Sequence, residues 1–403
     1  MKCQWKQNAL RIVLLLLSVS CLLTAAGCWD DAEINGRAFV LGFGADAGPE
    51  EGRYDFTFQL AIPVSGNAES SGAIQYTNCT VTESSVASAI RLLEKDMGRQ
   101  VNFEQLNVIV IGEELSKGNF LGMTELFFRR ASVRRQSCVA VCAGSAKDFF
   151  GASVTDNAVA SDAAVALQSY DDTGSADAMA LNLHSLYKVV SNADEFYLLK
   201  MTPCAPDALS EDVNDALSDT ETNEGQKKML RISGAAAYGR QGNYLGELDE
   251  QELELLRLIT NRQISGVVAA KEADGSVIDY QIKQSHCESE CSLQNGVPVF
   301  TVRLHLSCIP IDGSAIGGIN TGSHNFTERA RRDMTETLTA RLEALAARSR
   351  QSLGSSVLGL QDKLRQRMPD WYEQNADNWE DIYRKSSIEV EVDCTVIGGG
   401  IIR

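Results

Sequence analysis

The stretch from Val297 to Cys308 alternates strictly, with Phe300, Val302, Leu304, Leu306 and Cys308 on one side and Thr301, Arg303 and His305 on the other. A period of two marks a strand with one face in a core and one in water. The pattern recurs from Tyr54 to Pro63, where Tyr54, Phe56, Phe58, Leu60 and Ile62 oppose Asp55, Thr57 and Gln59. It returns from Ile388 to Val396, where Ile388, Val390, Val392 and Val396 oppose Glu389, Glu391 and Asp393. Strands of this kind need a cover for one face of their sheet, and the runs between them supply it. Val86, Ala89, Ile90, Leu93 and Met97 fall at helical spacing between a Ser84 or Ser85 cap and Gly98. Asp249 opens a helix carrying Leu253, Leu256 and Ile259, and Met334, Leu338, Leu342 and Leu345 form the stripe of a long helix from about Thr327 to Leu353. The expected class is α+β or α/β: a multidomain body of mixed β-sheets packed with helices.

Shorter segments complete the pattern. Ala38–Gly44, Ile74–Val81, Leu106–Ile111, Ser137–Ala143 and Glu195–Thr202 read as strands, with a hairpin loop at Gly48–Gly52. Leu121–Arg130 and most of residues 145–191 read as helix, broken at Asp171–Gly174. Pro203 to Gln226 holds two prolines and seven acids before the first base at Lys227, which suits a solvated linker or long loop. Beyond it come a strand at Met229–Tyr238, a turn at Gly239–Asn243 and an extended run at Tyr244–Leu248. A strand pair follows at Val267–Ala270 and Val277–Ile282, and a helical pattern through Leu360, Leu364 and Met368 runs up to Pro369. The expected division is a leader at 1–27, a region at 28–202 of two α/β subdomains, the acidic linker at 203–226, and an α/β domain at 227–403.

The leader has its own logic. Lys2, Lys6 and Arg11 precede the apolar run Ile12–Leu17, which continues through Val19, Leu22 and Leu23 to Ala26-Gly27-Cys28. A basic start, an apolar middle and small residues before a cut are the marks of an export signal. Because the small residues stop at a cysteine, the segment resembles the lipobox of bacterial lipoproteins. That resemblance implies cleavage between Gly27 and Cys28 and a diacylglyceryl group on the Cys28 sulfur. A thiol suits the alkylation, and two acyl chains anchor stably where one does not. Ala25 stands where lipoboxes usually carry Leu. The alternatives are an uncleaved signal anchor, at about the 18 to 20 residues a span needs, and ordinary secretion. All three place the body outside the cytoplasm.

Lys2, Lys6 and Arg11 account for +3 of a formal net charge of −17, leaving the rest of the chain near −20. That balance disfavours nucleic acid, which calls for basic surface. An acidic body on a lipid tether stands off an anionic bilayer or docks on something basic. Arg329, Arg331, Arg332 and Arg341 form a basic patch that reads as a solvated helix face. Of 11 cysteines, Cys3 and Cys21 lie in the leader and Cys28 takes the lipid. The remaining eight can form disulfides outside the cytoplasm or stay as thiols, and their pairing is not written in the spacing. Cys138 and Cys142 share one face of a strand. Cys287 and Cys291 flank an acidic loop beside His286, at most half of a zinc site. The four histidines, His184, His286, His305 and His324, show no helix-spaced pair, and no G-x-S-x-G nucleophile elbow, H-E-x-x-H zinc-protease helix or P-loop occurs. Gly42-Phe43-Gly44 lacks the helix start that a phosphate cradle needs. Nothing in the pattern argues for an enzyme or a cofactor.

Taken together, the motifs resemble the Ger(x)C spore germination lipoproteins. The resemblance lies in Gly27-Cys28-Trp29-Asp30 with Glu33-Ile34, in Val108 to Leu115, and in Cys142 to Lys147. It continues in Ser233–Tyr238 with Tyr244-Leu245-Gly246, and in Leu364–Trp371 with Trp379 and the last alternating strand. It implies a non-catalytic C subunit of a nutrient germinant receptor without cofactor, anchored through Cys28 on the outer face of the spore inner membrane. The implied partners are the membrane-embedded A-type and B-type subunits. A solute-binding lipoprotein is the alternative, and it requires an interdomain cleft lined with aromatic and polar groups.

Overall fold

In the computed structural model the described residues are 11–18, 36–61, 76–152, 160–171, 181–192, 194–204, 229–261, 266–271, 277–313 and 324–397. The acidic stretch from 205 on, the break after Asp171 and the glycines at 398–400 lie outside them. Residues 11–18 form helix α1, with Ile12 to Leu17 exposed.

Strand β1 (Arg37–Ala47) turns at the Gly48–Gly52 loop into β2 (Tyr54–Ala61), which pairs with β3 (Tyr76–Glu83). Helix α2 (Val86–Met97) follows. The Ser85 hydroxyl accepts from the Ser88 N–H at 3.1 Å to start it, and Gly98 at φ +64° ends it. Strands β4 (Gln100–Asn102), β5 (Val108–Gly112) and β6 (Cys138–Cys142) then join in parallel. They alternate with α3 (Glu113–Ser116), α4 (Leu121–Arg129), α5 (Ala146–Phe150), α6 (Ala160–Asp171) and α7 (Leu183–Ser191). Strands β7 (Phe196–Cys204), β8 (Met229–Tyr238) and β9 (Tyr244–Leu248) complete a nine-stranded mixed sheet in the order β3-β2-β1-β5-β6-β7-β8-β9, with β4 on β1.

Helices α2, α4 and α7 cover one face of this sheet, and α5 and α6 the other. Strand β2 was expected to be half-buried, but both of its faces are covered. Thr57 and Gln59 are as inaccessible as Phe56 and Phe58. Their polar atoms are satisfied locally: Gln59 donates to Asn78 at 3.2 Å and accepts from the Ser161 N–H at 3.2 Å, and Thr57 bonds Thr80 at 3.0 Å. The cover comes from a hundred residues downstream, which alternation within one strand cannot reveal. Gly42 and Gly44 have a packing reason: a Cβ at Gly42 would lie 2.3 Å from the Phe150 ring, so α5 rests directly on the bare backbone of β1.

Helix α8 (Glu250–Ile259), opened by a capping box of Asp249 and Glu252, leads to a second sheet. Strands β10 (Gly266–Lys271), β11 (Val277–Gln294) and β12 (Val297–Gly313) are antiparallel, and β13 (Ser387–Val396) lies parallel to β12. Phe300, Val302, Leu304, Leu306 and Cys308 are all buried, under α9 (His324–Arg348). The stripe Met334, Leu338, Leu342 and Leu345 is buried as expected. The last turn of α9 widens into a π-turn at Ser349–Leu353 and stops at Gly354, φ +63°. Helices α10 (Leu360–Arg367), α11 (Pro369–Asn375) and α12 (Trp379–Lys385) precede β13. The expected acidic loop between Cys287 and Cys291 is part of β11, because pairing with the strongly alternating β12 overrides the weak strand preference of Glu288 and Glu290. Arg303 then pairs with Glu290 at 2.9 Å and Glu391 at 2.7 Å across three strands. Cys308 and Cys394 lie side by side in the core, sulfurs 3.6 Å apart.

Either side of the acidic stretch, β7 and β8 pair antiparallel from Phe196↔Tyr238 to Cys204↔Met229. The sheet is therefore continuous across the acidic stretch of the sequence. The ladder carries one bulge: Lys200 faces Gly234 and Met201 faces Ile232, leaving Ser233 extra. Gly234 sits at φ +131°, and a Cβ there would stand 2.1 Å from the Leu248 carbonyl oxygen. Gly234→Ala is expected to cost about 2–4 kcal/mol, read as a lower urea midpoint with unchanged slope. An unshifted midpoint would contradict this account of the bulge.

Candidate functional site at the junction of the two halves

Gly27 and Cys28, the expected cleavage and lipidation positions, lie outside the described residues. The nearest described backbone beyond them starts at Gly36 and enters β1 at Arg37. A set of buried and half-buried polar and charged groups lies elsewhere, where β7–β9 meet the C-terminal elements.

Alternate residues of β7 and β8 serve different cores. Leu198, Ala236 and Tyr238 belong to the core under α2 and α4, while Leu199, Ala235 and Ala237 belong to the core shared with α8, α9 and the second sheet. Charges tie this wall at its edges. Lys200, its side chain 13% exposed, reaches Glu247 of β9 at 2.7 Å and Glu113 at 3.6 Å. The Gly144 N–H donates to Glu113 at 3.1 Å and is the largest influence holding that carboxyl below its ordinary range. On the other side Arg348, closing α9, donates to the Glu247 carbonyl at 2.6 Å and pairs closely with Glu252. Arg365 of α10 binds Asp194 at 2.7 Å and Asp362 at 2.6 Å.

Beside Asp194, the Glu195 carboxylate accepts from the Ser356 N–H at 2.5 Å, and the Ser356 hydroxyl accepts from the Gln361 N–H at 2.8 Å. Burial pushes Glu195 up to about 7. A cavity of about 140 Å³ remains here, walled by Leu181, Phe196 and Val357 with Glu195 and Gln361. It is smaller than the several hundred Å³ of a ligand cleft. These groups hold the two halves together; their carboxylates are occupied by backbone N–H groups or bases rather than poised as an acid/base couple.

The remaining candidates separate in space. Cys287 is buried while His286, its neighbour on the strand, points outward with its side chain 64% exposed, so the two diverge. His305 stands exposed, 3.6 Å from Asp393. Cys138 and Cys142 share the buried face under α5 and α6. All eight cysteines of the described body are free thiols. Among the described residues no group of three or more His, Cys, Asp or Glu is placed to hold a metal, and no helix is long and apolar enough to cross a membrane.

A three-layer α/β half joined through a shared ladder to a second sheet under one long helix defines a two-region α+β architecture with a packed seam. The chain belongs to the Ger(x)C family of spore germination proteins: the model of the spore germination protein N-terminal domain matches residues 30–203, and that of the spore germination B3/GerAC-like C-terminal region matches residues 233–400. The boundary between the two falls in the β7–β8 ladder. Spore germination protein B3 of Bacillus subtilis (strain 168) is 22% identical over 386 residues, 94% of this chain and 96% of that one. The putative spore germination protein YfkR of the same organism is 20% identical over 404 residues, 98% of each chain. The crystal structure of the GerBC protein superposes with a TM-score of 0.54 at 19% identity, covering 88% of this chain and 97% of that one. The mixed-sheet, multidomain fold is thus the fold of this family.

Glu195 makes the seam sensitive to pH. Its folded value of about 7 lies above its unfolded value near 4.5, so its contribution to stability is full below about 4.5 and is lost as pH rises through 7. Glu195→Gln keeps an oxygen for the Ser356 N–H and cannot ionise. It should be more stable than the parent by about 1–3 kcal/mol at pH 8 and nearly equal to it at pH 4.5. Thermal melts at the two pH values check this, and an equal difference at both would refute it.

Proposed function

We propose that this protein is the lipid-anchored, non-catalytic C subunit of a nutrient germinant receptor, required for spore germination and working beside membrane-embedded A-type and B-type subunits. In this reading residues 1–27 are a lipoprotein signal peptide cleaved after Gly27. Cys28 carries the diacylglyceryl group and holds the body on the outer face of the spore inner membrane. Residues 28–202 and 227–403 act as the two working regions, with 203–226 as an acidic linker or long loop. The observation that carries the reading is that both family regions follow in order directly after Gly27-Cys28-Trp29, the first starting at Asp30. The charged groups at the seam are spent on holding the halves in register, which suits a subunit that acts by position and contact.

Two buried acyl chains at roughly 0.8 kcal/mol per CH₂ resist salt, unlike an electrostatic attachment. Cys28→Ala is therefore expected to move most of the protein from the membrane pellet to the supernatant in high salt. Mass spectrometry of the parent should show an N-terminus at residue 28 with a lipid on sulfur. A variant that still sediments with membranes, or a parent with an intact leader, would overturn the anchor. Deleting the gene should leave sporulation intact and abolish the response to one nutrient; an unchanged nutrient response would overturn the receptor role.

A further inference from the structure

One end of the large sheet is basic although the chain as a whole is acidic. Strands β1, β4, β5 and β6 are parallel, so their starting ends lie at the same end of the large sheet. Arg37 is the first residue of β1 and faces Gln100, and Arg99 immediately precedes it. The turn into β6 carries Arg129, Arg130, Arg134 and Arg135, and no acid occurs between Glu125 and Asp148. Arg129 is engaged by Glu125 on its own helix. The Arg130 guanidinium lies over the Phe103 ring, 5.5 Å from its centroid, and Phe103 directly follows β4, so the cluster sits beside the start of β1. Arg134 and Arg135 are exposed. Helix α7 begins at this end: the Leu183 N–H donates to the Ser137 carbonyl at 2.8 Å and the His184 N–H to the Arg135 carbonyl at 3.0 Å. One turn on, Tyr187 is 47% exposed and rests edge-on against Phe128 at 5.4 Å, with Lys188 exposed next to it. The exposed acids nearby, Asp96, Glu104 and Glu125, are fewer than the bases; Asp162 accepts from Asn107 at 2.7 Å, Arg134 donates to the same Asn107 at 3.4 Å, and Asp30, Asp31 and Glu33 lie in the leash before β1.

The length of chain before β1 says what this end faces. Eight residues, 29 to 36, separate Cys28 from Arg37, and at full extension they span roughly 3.3–3.6 Å each, about 30 Å in all. On the reading that Cys28 is lipidated, the start of β1 can stand no further than that from the bilayer. An anionic surface attracts nearby arginines and repels the rest of a strongly acidic body, so it orients as well as attracts. Guanidinium groups fit phosphate as two-pronged donors, and a half-exposed tyrosine is the ring type that settles at headgroup depth.

We propose that the starting end of the parallel strands is a bilayer-contacting face, on which Arg130, Arg134, Arg135, Arg37 and Arg99 meet anionic phospholipid headgroups and Tyr187 seats among them. The tether supplies attachment and this face supplies orientation: the body stands basic end down. The inference rests on the lipid anchor for its geometry, and the test separates the two.

The mature chain from residue 28 with Cys28→Ser has no lipid and reports on the face alone. It is mixed at 50 mM salt with vesicles of phosphatidylglycerol and phosphatidylcholine at 3:7, and with pure phosphatidylcholine. Co-flotation is expected only with the anionic vesicles and should weaken at least about tenfold in Arg130→Glu/Arg134→Glu/Arg135→Glu and at 300 mM salt. Arg135→Glu/Lys188→Glu, on exposed positions, gives the same direction should the triple variant fail to fold. Equal flotation with both vesicles, or no response to charge reversal, overturns the proposal. For the acylated parent in nanodiscs of the two compositions, hydrogen exchange at residues 130–137 and 183–191 should slow at least threefold in the anionic discs. Equal rates overturn the proposal even with the anchor intact, whereas a failed anchor with preserved anionic flotation removes only the tether.

Discussion

The β7–β8 ladder is a wall with a separate hydrophobic core on each side, and the arrangement of both halves depends on it. Ala235 and Ala237 look one way, Ala236 and Tyr238 the other. Because side chains alternate across a strand, a slip of one residue would exchange the two sets and put Tyr238 where a methyl group fits. The bulge at Ser233 and the backbone contact at Gly234 pin the register against that slip. The halves are thus held by a shared strand pair, and the interface cannot open without breaking main-chain hydrogen bonds.

Electrostatics reinforce the wall at its rim rather than inside it. Lys200 and Arg348 both end on β9, one through the Glu247 carboxylate and the other through its carbonyl, so elements from three parts of the chain converge on one residue. These pairs are partly buried and hydrogen-bonded to backbone, where geometry rather than raw Coulomb attraction decides their value. Glu195 is the exception: burial outweighs its Ser355 and Ser356 donors and the charge of Arg240, and lifts its carboxyl to about 7.

Local periodicity carried much of this fold. The alternation of Val297–Cys308, the helix stripe from Met334 to Leu345 and the Asp249 cap appear where the residue pattern places them, because each is decided within a few turns of chain. What failed was decided at a distance. Thr57 and Gln59 look solvated until a helix from residues 160–171 covers them, and the acids around Cys287 look like a loop until β12 pairs with them. The seam was illegible for the same reason: Lys200, Glu247 and Arg348 are separated by long stretches of chain, and three consecutive alanines do not announce that they divide two cores. The arginines at 129–135 are plain in the sequence, but only the parallel topology places them beside the start of β1. Gly27 and Cys28 are the reverse case, since their meaning lies wholly in the residue pattern around them.

The position of β1 within the sheet has a mechanical consequence. Residues before Gly36 enter the body at the start of this strand, which is hydrogen-bonded to β2 on one flank and to β5 on the other. A force applied at the start of β1 and directed along the strand loads both ladders in shear, so many bonds share it at once. An edge strand such as β3 or β9 would instead peel away bond by bond. The start of β1 is therefore among the stiffest places in the molecule to pull from, and a pull there is passed to the whole sheet without unravelling its entry.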